Sequence, residues 1–473
     1  ANLIVQVKNN QVMRVVPLEN EDVNECWIAD RDRFSYEALN GAERLTQPML
    51  KQGGVWKEVD WQTALEYVAN GLKNIQRDHG ANSIGALVSP QSTVEELYLA
   101  GALVRGLGSD NIDYRLRNAE FGAAEGVRTL GTSIASLSTL QRVLVVGSNL
   151  RKDHPLFALR VRHAVRHGAQ LNVITTPAAF SHADAWAMPV AQAVLADASG
   201  WAQALADVAA AIAAEKGVAA PVAGNATAQA QAIAKSMLGG ERKAVLLGNA
   251  AAHHANASSL LALANWIAEQ TGATVGYLTE SANTVGAQWV GAQPQTGGKN
   301  AGQMLAGGLK AAILLNTEPE FDSAAGSAAA QALGQAEMVV TLSPFKANMA
   351  FSDVLLPIAP FTETSGSFVN AEGRLQSFHA VVKPLAETRP AWKVLRVLAN
   401  LLDVPGVSFE TSQDVLARAT AKPLAASNAT RAAINLAAAA GTPAVAAIYQ
   451  LDGIVRRAPS LQLTADARQE VTA

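Results

Sequence analysis

RVLVVGSNLRKDHPLFALRVRHAVRHGAQLNVIT, residues 142–175, is the stretch on which the fold turns. Arg142 to Val146 is a short aliphatic run with no polar alternation, so it reads as a strand buried on both faces. Gly147, Ser148 and Asn149 turn the chain. The segment from His154 then carries helical spacing up to a stop at Gly168, and Leu171 to Thr175 is a second strand. Strand, helix and strand in that order form a βαβ unit. The strand-and-turn pattern recurs in KAVLLGNAAAHHA (243–255), LKAAILLNTEPEF (309–321) and AEMVVTLSPF (336–345). Four such units imply an α/β fold of parallel sheets covered by helices.

The flanking sequence extends this pattern. Alternating β-rich runs on either side of Asn9-Asn10 predict a hairpin at the start of the chain. The charged and aromatic stretch 24–49 reads as a connector with a short helix, closed by Pro48. Ala64, Leu65, Val68 and Leu72 share one helical face behind an N-cap at Asp60, and Ile84 to Val88 suits a buried strand. Dense alanine between 196 and 234 predicts exposed or lightly packed helices. Beyond Leu402 the chain is rich in Ala, Thr and Ser with weak periodicity, which predicts a loosely packed, partly extended tail. The expected division is a small β-rich element over 1–55, a discontinuous α/β domain over 56–137 and 290–402, an inserted Rossmann-like domain over 138–289, and a tail over 403–473.

Composition excludes several functions. With 473 residues the chain can bury more than one core. A net charge of −3 and 16% charged residues leave no basic stripe for a phosphate backbone, so no nucleic acid is expected. The apolar runs fall far short of the roughly 20 residues that span a bilayer, so no direct membrane insertion is expected. The first residues, Asn2 to Val7, read as a strand rather than as a signal peptide. The missing initiator Met suggests a start inside a longer protein. Cys26 is the single cysteine, so an internal disulfide is impossible, and one thiol cannot supply the several thiolates of an iron–sulfur cluster.

Candidate sites are few. Gly147, Ser148 and Asn149 follow a strand, where backbone N–H groups can face an anion; an ordinary βα turn accounts for them equally. His163 and His167 lie four apart on one helical face, a metal-competent spacing, but RVRHAVRH reads more simply as a solvated basic face. Adjacent His253 and His254 point different ways and make poor joint ligands. Cys26, beside Trp27, reads as a packed small side chain. ETSGSFVNAEGRLQ (363–376) combines two glycines with Glu363, Asn370, Glu372 and Arg374; by composition it is a structured loop whose Arg374 suits a carboxylate or phosphate.

As a whole, SDVLLPIAPFTETSGSFVNAEGRLQ (352–376) resembles the signature of the molybdopterin-oxidoreductase superfamily. LGSDNIDYRLR (107–117), LVVGSNLRKDHPLF (144–157) and LKAAILLNTEP (309–319) look like further blocks of that superfamily. VMRVVPLENEDVNECWIADRDRFSYEALNGAERLTQPM (12–49) is similar to a segment of the large iron–sulfur subunit of bacterial NADH:quinone oxidoreductase, respiratory complex I. The resemblance implies the interleaved Rossmann-like fold of formate dehydrogenase and DMSO reductase. It also implies partners among the other hydrophilic subunits of complex I, at the cytoplasmic face of the bacterial inner membrane.

Two departures shape the functional expectation. Some relatives hold a cluster partly through a Cys immediately before their DRxRF; this chain has Ala29 there. The molybdenum-ligating Cys of active relatives falls near YRLRNAEF (114–121), which has none. The implied role is a structural and assembly module without catalytic residues, metal or cofactor of its own, its iron–sulfur clusters lying upstream of residue 1. Gly147, Ser148, Asn149, Gly366, Asn370, Glu372, Gly373 and Arg374 would then be vestigial pterin-type loops. The alternatives are a competent molybdopterin-dependent oxidoreductase fragment and a structurally retained nucleotide-like ligand.

Overall fold

The structure, a computed structural model, describes residues 1–122, 124–180, 186–437 and 441–468. It opens on an antiparallel hairpin of β1 (Leu3–Lys8) and β2 (Gln11–Pro17), turned by Asn9 and Asn10 at φ 50° and 58°. Both residues take the left-handed conformation that a two-residue hairpin turn of matching twist needs. A second hairpin, β3 (Met49–Gln52) and β4 (Val55–Glu58), precedes β5 (Ile84–Val88) and β6 (Ile112–Asp113). Then come β7 (Arg142–Val146), β8 (Gln170–Thr175), β9 (Gln192–Leu195), β10 (Lys243–Leu247) and β11 (Thr274–Tyr277). Next are β12 (Ala311–Leu315), β13 (Met338–Ser343) and β14 (Val354–Pro357), followed by a hairpin of β15 (Gly366–Val369) and β16 (Leu375–Phe378).

Two sheets organise the molecule. The five-stranded sheet runs β11-β10-β7-β8-β9 and is parallel throughout. The seven-stranded sheet runs β4-β3-β14-β13-β12-β5-β6 and is parallel except for the β3/β4 edge. Strand order reverses between β7 and β10 in the first sheet and between β5 and β12 in the second. At such switch points the connections leave in opposite directions and open a crevice at the strand C-termini.

Helices cover both sheets for identifiable reasons. The helix Trp61–His79 starts where Asp60 accepts the Thr63 N–H at 2.8 Å, and it buries Ala64, Leu65, Val68 and Leu72 as expected. Val94–Gly106 begins with a capping box in which Thr93 and Glu96 satisfy each other's backbone N–H. Trp201–Lys216 corrects the expectation of lightly packed alanine helices, since Ala202, Ala206, Ala209, Ala211 and Ala213 are buried. Small side chains let this helix approach Ala228–Leu238 and Ala257–Thr271 closely, so alanine marks a tight helix interface here. Beyond Leu402 there is a helix at Ser412–Ala419, then mostly irregular chain whose Tyr449, Leu451, Val455 and Leu461 are buried. Residues 438–440 and 469–473 of that tail lie outside the described residues.

Candidate functional site

A cleft of about 840 Å³ opens at the C-terminal ends of strands from both sheets. Ser89, Pro90 and Gln91 reach it from β5, and Tyr114 to Asn118 from beyond β6. Asn249 and His253 follow β10, while Tyr277 to Ser281 end β11. The cleft therefore takes residues from both switch points, where parallel sheets place ligands.

Among the described residues four arginines line it, and so do four carboxylates. Arg115 is bidentate to Asp113 at 2.9 and 3.0 Å and lies over the Phe121 ring. Asp113 also accepts the Ala301 N–H, which fixes it from the far side. Arg117 donates to Glu280 at 3.1 Å and to the Leu451 carbonyl at 3.2 Å, and it stands 3.5 Å from Asp322. Arg128 stacks on Tyr277, and Arg431 pairs with Glu125 at 3.4 Å. Glu120 accepts from the Ser258 backbone N–H and hydroxyl.

His253 is 3.8 Å from Glu280, and its Nδ1 is 2.8 Å from the Ala444 carbonyl. Burial holds this imidazole below the ordinary histidine range, outweighing the Glu280 carboxylate that acts to raise it. The neutral ring keeps one N–H for the carbonyl. Glu280 Oε1 is buried and has no hydrogen-bond partner, an unmet acceptor at the cleft wall.

The loops singled out in the sequence lie outside the cleft lining. Gly147 has φ +63°, and a Cβ there would come within 2.7 Å of Ala251 N and the Trp201 ring. Asp153 draws Ser148 Oγ and Asn149 N onto one oxygen, at 2.8 and 3.0 Å. The segment 363–376, read as a loop, holds β15, the hairpin turn and the start of β16. A Cβ on Gly366 would meet the Thr93 side chain at 2.4 Å, and Gly373 turns the hairpin at φ +92°. Asn370 Oδ1 accepts from Glu372 N and Arg374 N, while Glu372 accepts the Ile134 N–H at 2.7 Å. Arg374 is paired with Asp22 and Glu372. Most donors of the two loops are thus directed to their own surroundings, whereas Asn370 Nδ2 is buried without a partner among the described residues.

Other candidates also resolve. Cys26 corrects its expectation: it is exposed, because Val23, Asn24 and Ile28 occupy the buried positions around this turn. His163 and His167 lie exposed at the end of the helix Pro155–Arg166, their rings tilted 34° to each other, with His167 Nδ1 2.8 Å from the His163 carbonyl. His254 Nε2 is 2.9 Å from the Ala198 carbonyl. The cleft residues that sequence reasoning passed over, Arg117, Glu280 and Asp322, come from three separate segments, and His253 was weighed only as a metal ligand. Their available signal was position, since Glu280 and His253 stand just past strand ends.

Comparison with known proteins agrees with this architecture. Residues 44–401 match the molybdopterin oxidoreductase family, and residues 1–37 match the 4Fe-4S domain described as NADH-ubiquinone oxidoreductase NDSU1/NuoG-like. A subunit of the NADH-quinone oxidoreductase of Rickettsia felis is 31% identical over 170 residues, covering 36% of this chain and 25% of that protein. The 75 kDa subunit of NADH-ubiquinone oxidoreductase from Reclinomonas americana is 31% identical over 185 residues, 36% of this chain and 26% of its own length. The probable oxidoreductase YjgC of Bacillus subtilis is 23% identical over 88% of this chain and 49% of its own length. The chain therefore aligns with half or less of each of these relatives.

Two solved structures share the fold. Acetylene hydratase from Pelobacter acetylenicus superposes with a TM-score of 0.58 at 14% identity, covering 89% of this chain and 70% of the other. A chain of the formyltransferase/hydrolase complex FhcABCD from Methylorubrum extorquens, solved with methylofuran, gives 0.56 at 20% identity, covering 76% of this chain and all of the other. Paired switch points, the signature at 352–376 and a match over 44–401 agree: this chain belongs to the molybdopterin oxidoreductase family.

Proposed function

We propose that this chain is the molybdopterin-oxidoreductase-like part of a NuoG-like complex I subunit and serves there as a structural and assembly module whose cleft performs no chemistry. The observation that carries this reading is the state of the cleft's charges. A molybdenum–pterin group asks the protein for a metal ligand and for cations free to meet its phosphates. No cysteine lines the cleft, Arg115 and Arg117 already face carboxylates of their own chain, and Arg128 lies against the Tyr277 ring. These residues do not fit that group.

The remaining parts of the proposal follow the relatives' names. Other hydrophilic subunits would surround the module on the cytoplasmic face of the membrane. Among the described residues no helix is long and apolar enough to cross a bilayer. The 4Fe-4S match over 1–37 contains only Cys26, one thiolate of the four such a cluster usually takes, so we place the clusters upstream. We read the chain as four parts, 1–55, 56–137 with 290–402, 138–289 and 403–473; strand membership of the two sheets supports the insertion at 138–289, whereas β3, within 1–55, joins the seven-stranded sheet.

One observation favours the alternative, a competent molybdopterin-dependent enzyme: the cleft is large and holds the unmet Glu280 Oε1. Growth of the source organism on tungstate in place of molybdate separates the two readings. We expect unchanged NADH:quinone oxidoreductase activity and unchanged abundance of this chain in membranes. Loss of activity that molybdate restores would favour the enzyme.

A further inference from the structure

A second pocket, of about 380 Å³, lies at the opposite edge of the five-stranded sheet, where β7, β8 and β10 begin. Arg142, the first residue of β7, and Arg242, the residue before β10, line it together with His167 from the end of the helix Pro155–Arg166. Parallel pairing sets Lys243 beside Arg142 on the neighbouring strand. Like charges at adjacent positions of a sheet oppose each other. The Lys243 ammonium registers this: burial first, then Arg142 and Lys216, hold it below the ordinary lysine range. Among the described residues none of Arg142, Arg242 and Lys243 forms an ion pair.

Ordinary structural roles account for part of this charge. Arg142 donates from Nε to the Ser236 carbonyl at 3.1 Å, in the last turn of the helix Ala228–Leu238, and from Nη1 to the Gln141 carbonyl at 2.7 Å. Arg242 Nε donates to the Thr139 carbonyl at 2.6 Å. The helices Pro155–Arg166 and Ala228–Leu238 both end at this edge, and each helix C-terminus offers roughly half a negative charge. Together they offset about one of the three cations. The neighbouring Glu241 is exposed and pairs with none of them. A guanidinium also carries more N–H donors than these carbonyls take. Two glycines keep the rest within reach. A Cβ on Gly239 would rest against Arg142 Nη2 at 3.5 Å, and Gly240 turns the chain at φ +71°. Gln141 Oε1 accepts the Glu241 N–H at 2.6 Å and fixes that turn.

We infer that this pocket binds a phosphate group, held by the remaining N–H donors of Arg142 and Arg242 at the starts of β7 and β10, with the charge of Lys243 beside them. Guanidinium forks already oriented by carbonyls match the oxygens of such a group and lose little freedom on binding it. The charge is confined to the starts of two strands. That suits one phosphate-bearing ligand, a soluble molecule or a lipid headgroup, and falls short of a nucleic-acid backbone. The pocket lies a strand's length from the cleft, so it binds whether or not the cleft holds a cofactor.

The test is titration calorimetry of the full chain with inorganic pyrophosphate at physiological salt, beside co-sedimentation with vesicles of phosphatidylcholine, alone or mixed with phosphatidylglycerol. The expected result is saturable binding in at least one arm that falls at least about tenfold in Arg142→Gln/Arg242→Gln, the scale of lost charge-assisted hydrogen bonds. The double variant also takes a donor from the Ser236 carbonyl. Should it fold poorly, Arg242→Gln alone, at an exposed position, is expected to weaken binding at least about threefold. Binding of pyrophosphate without vesicles assigns a soluble ligand, and binding of phosphatidylglycerol vesicles without pyrophosphate assigns a headgroup; either sustains the inference. Absence of binding in both arms overturns it, and so does binding that the variants leave unchanged.

Discussion

Glu363 lies at the centre of the family signature, and its surroundings explain its presence without a ligand. Its two oxygens take Arg44 Nη1 and Nη2 at 2.8 and 3.0 Å, one of them also accepting the Leu385 N–H, in a pair only 3% and 5% exposed. Arg44 directs further donors to the carbonyls of Leu39 and Pro344. Glu363→Gln leaves that guanidinium buried without its counter-charge, so we expect a loss of about 3 kcal/mol in urea unfolding. Gly147 makes the same point about shape. Gly147→Ala meets both a left-handed φ and a Cβ clash at 2.7 Å and should cost at least about 2 kcal/mol. Gly168→Ala, at φ +96° with open space around it, meets only the backbone strain and should cost about 1 kcal/mol. Thermal unfolding of the two variants side by side checks the difference.

At the scale of elements, the helix Val94–Gly106 starts with two buried acids. Burial pushes the Glu96 carboxyl up to about 7, with hydrogen bonds to Thr93 only partly opposing, and burial also raises Glu95, which accepts from Ser367. The folded state therefore holds the Glu96 proton more tightly than the unfolded chain does. The corresponding stability is fully present below the unfolded value and is lost as pH rises towards 7, by about 3 kcal/mol. His154 acts in the opposite sense: burial lowers it to about 3, so its contribution is lost as pH falls below the ordinary histidine value. Glu96→Gln keeps an acceptor for the Thr93 N–H and removes the titration. Its stability should fall less than that of the parent between pH 5 and 8, measured by urea unfolding at each pH; an identical slope in both proteins would contradict this assignment.

Elements were legible where one local rule acted alone. Asn9-Asn10 needed only turn chemistry, and the strands at 142–146, 243–247 and 311–315 needed only their unbroken apolar runs. The helix Trp201–Lys216 was misread as lightly packed because alanine suits both exposed helices and close helix contacts, and only the neighbours decide between them. The β15/β16 hairpin looked like a loop because its strands are four residues each and β15 starts on a glycine.

For the whole molecule, the architecture followed from repeating strand–helix units, whereas the cleft did not. Its lining joins residues as distant as Ser89, Glu280 and Leu451, and no spacing in the sequence announces that meeting. What the sequence did show was the missing thiol near 114–121; the structure adds that the arginines of that stretch are held by Asp113, Glu280 and Asp322. On the proposed reading that pairing leaves Arg115 and Arg117 little charge to offer a cofactor, while Arg128 lies against the Tyr277 ring. Elemental analysis of the intact purified protein, with pterin fluorescence after acid extraction, tests this most directly. We predict neither molybdenum nor pterin above background. Molybdenum in proportion to protein, accompanied by pterin, would contradict it.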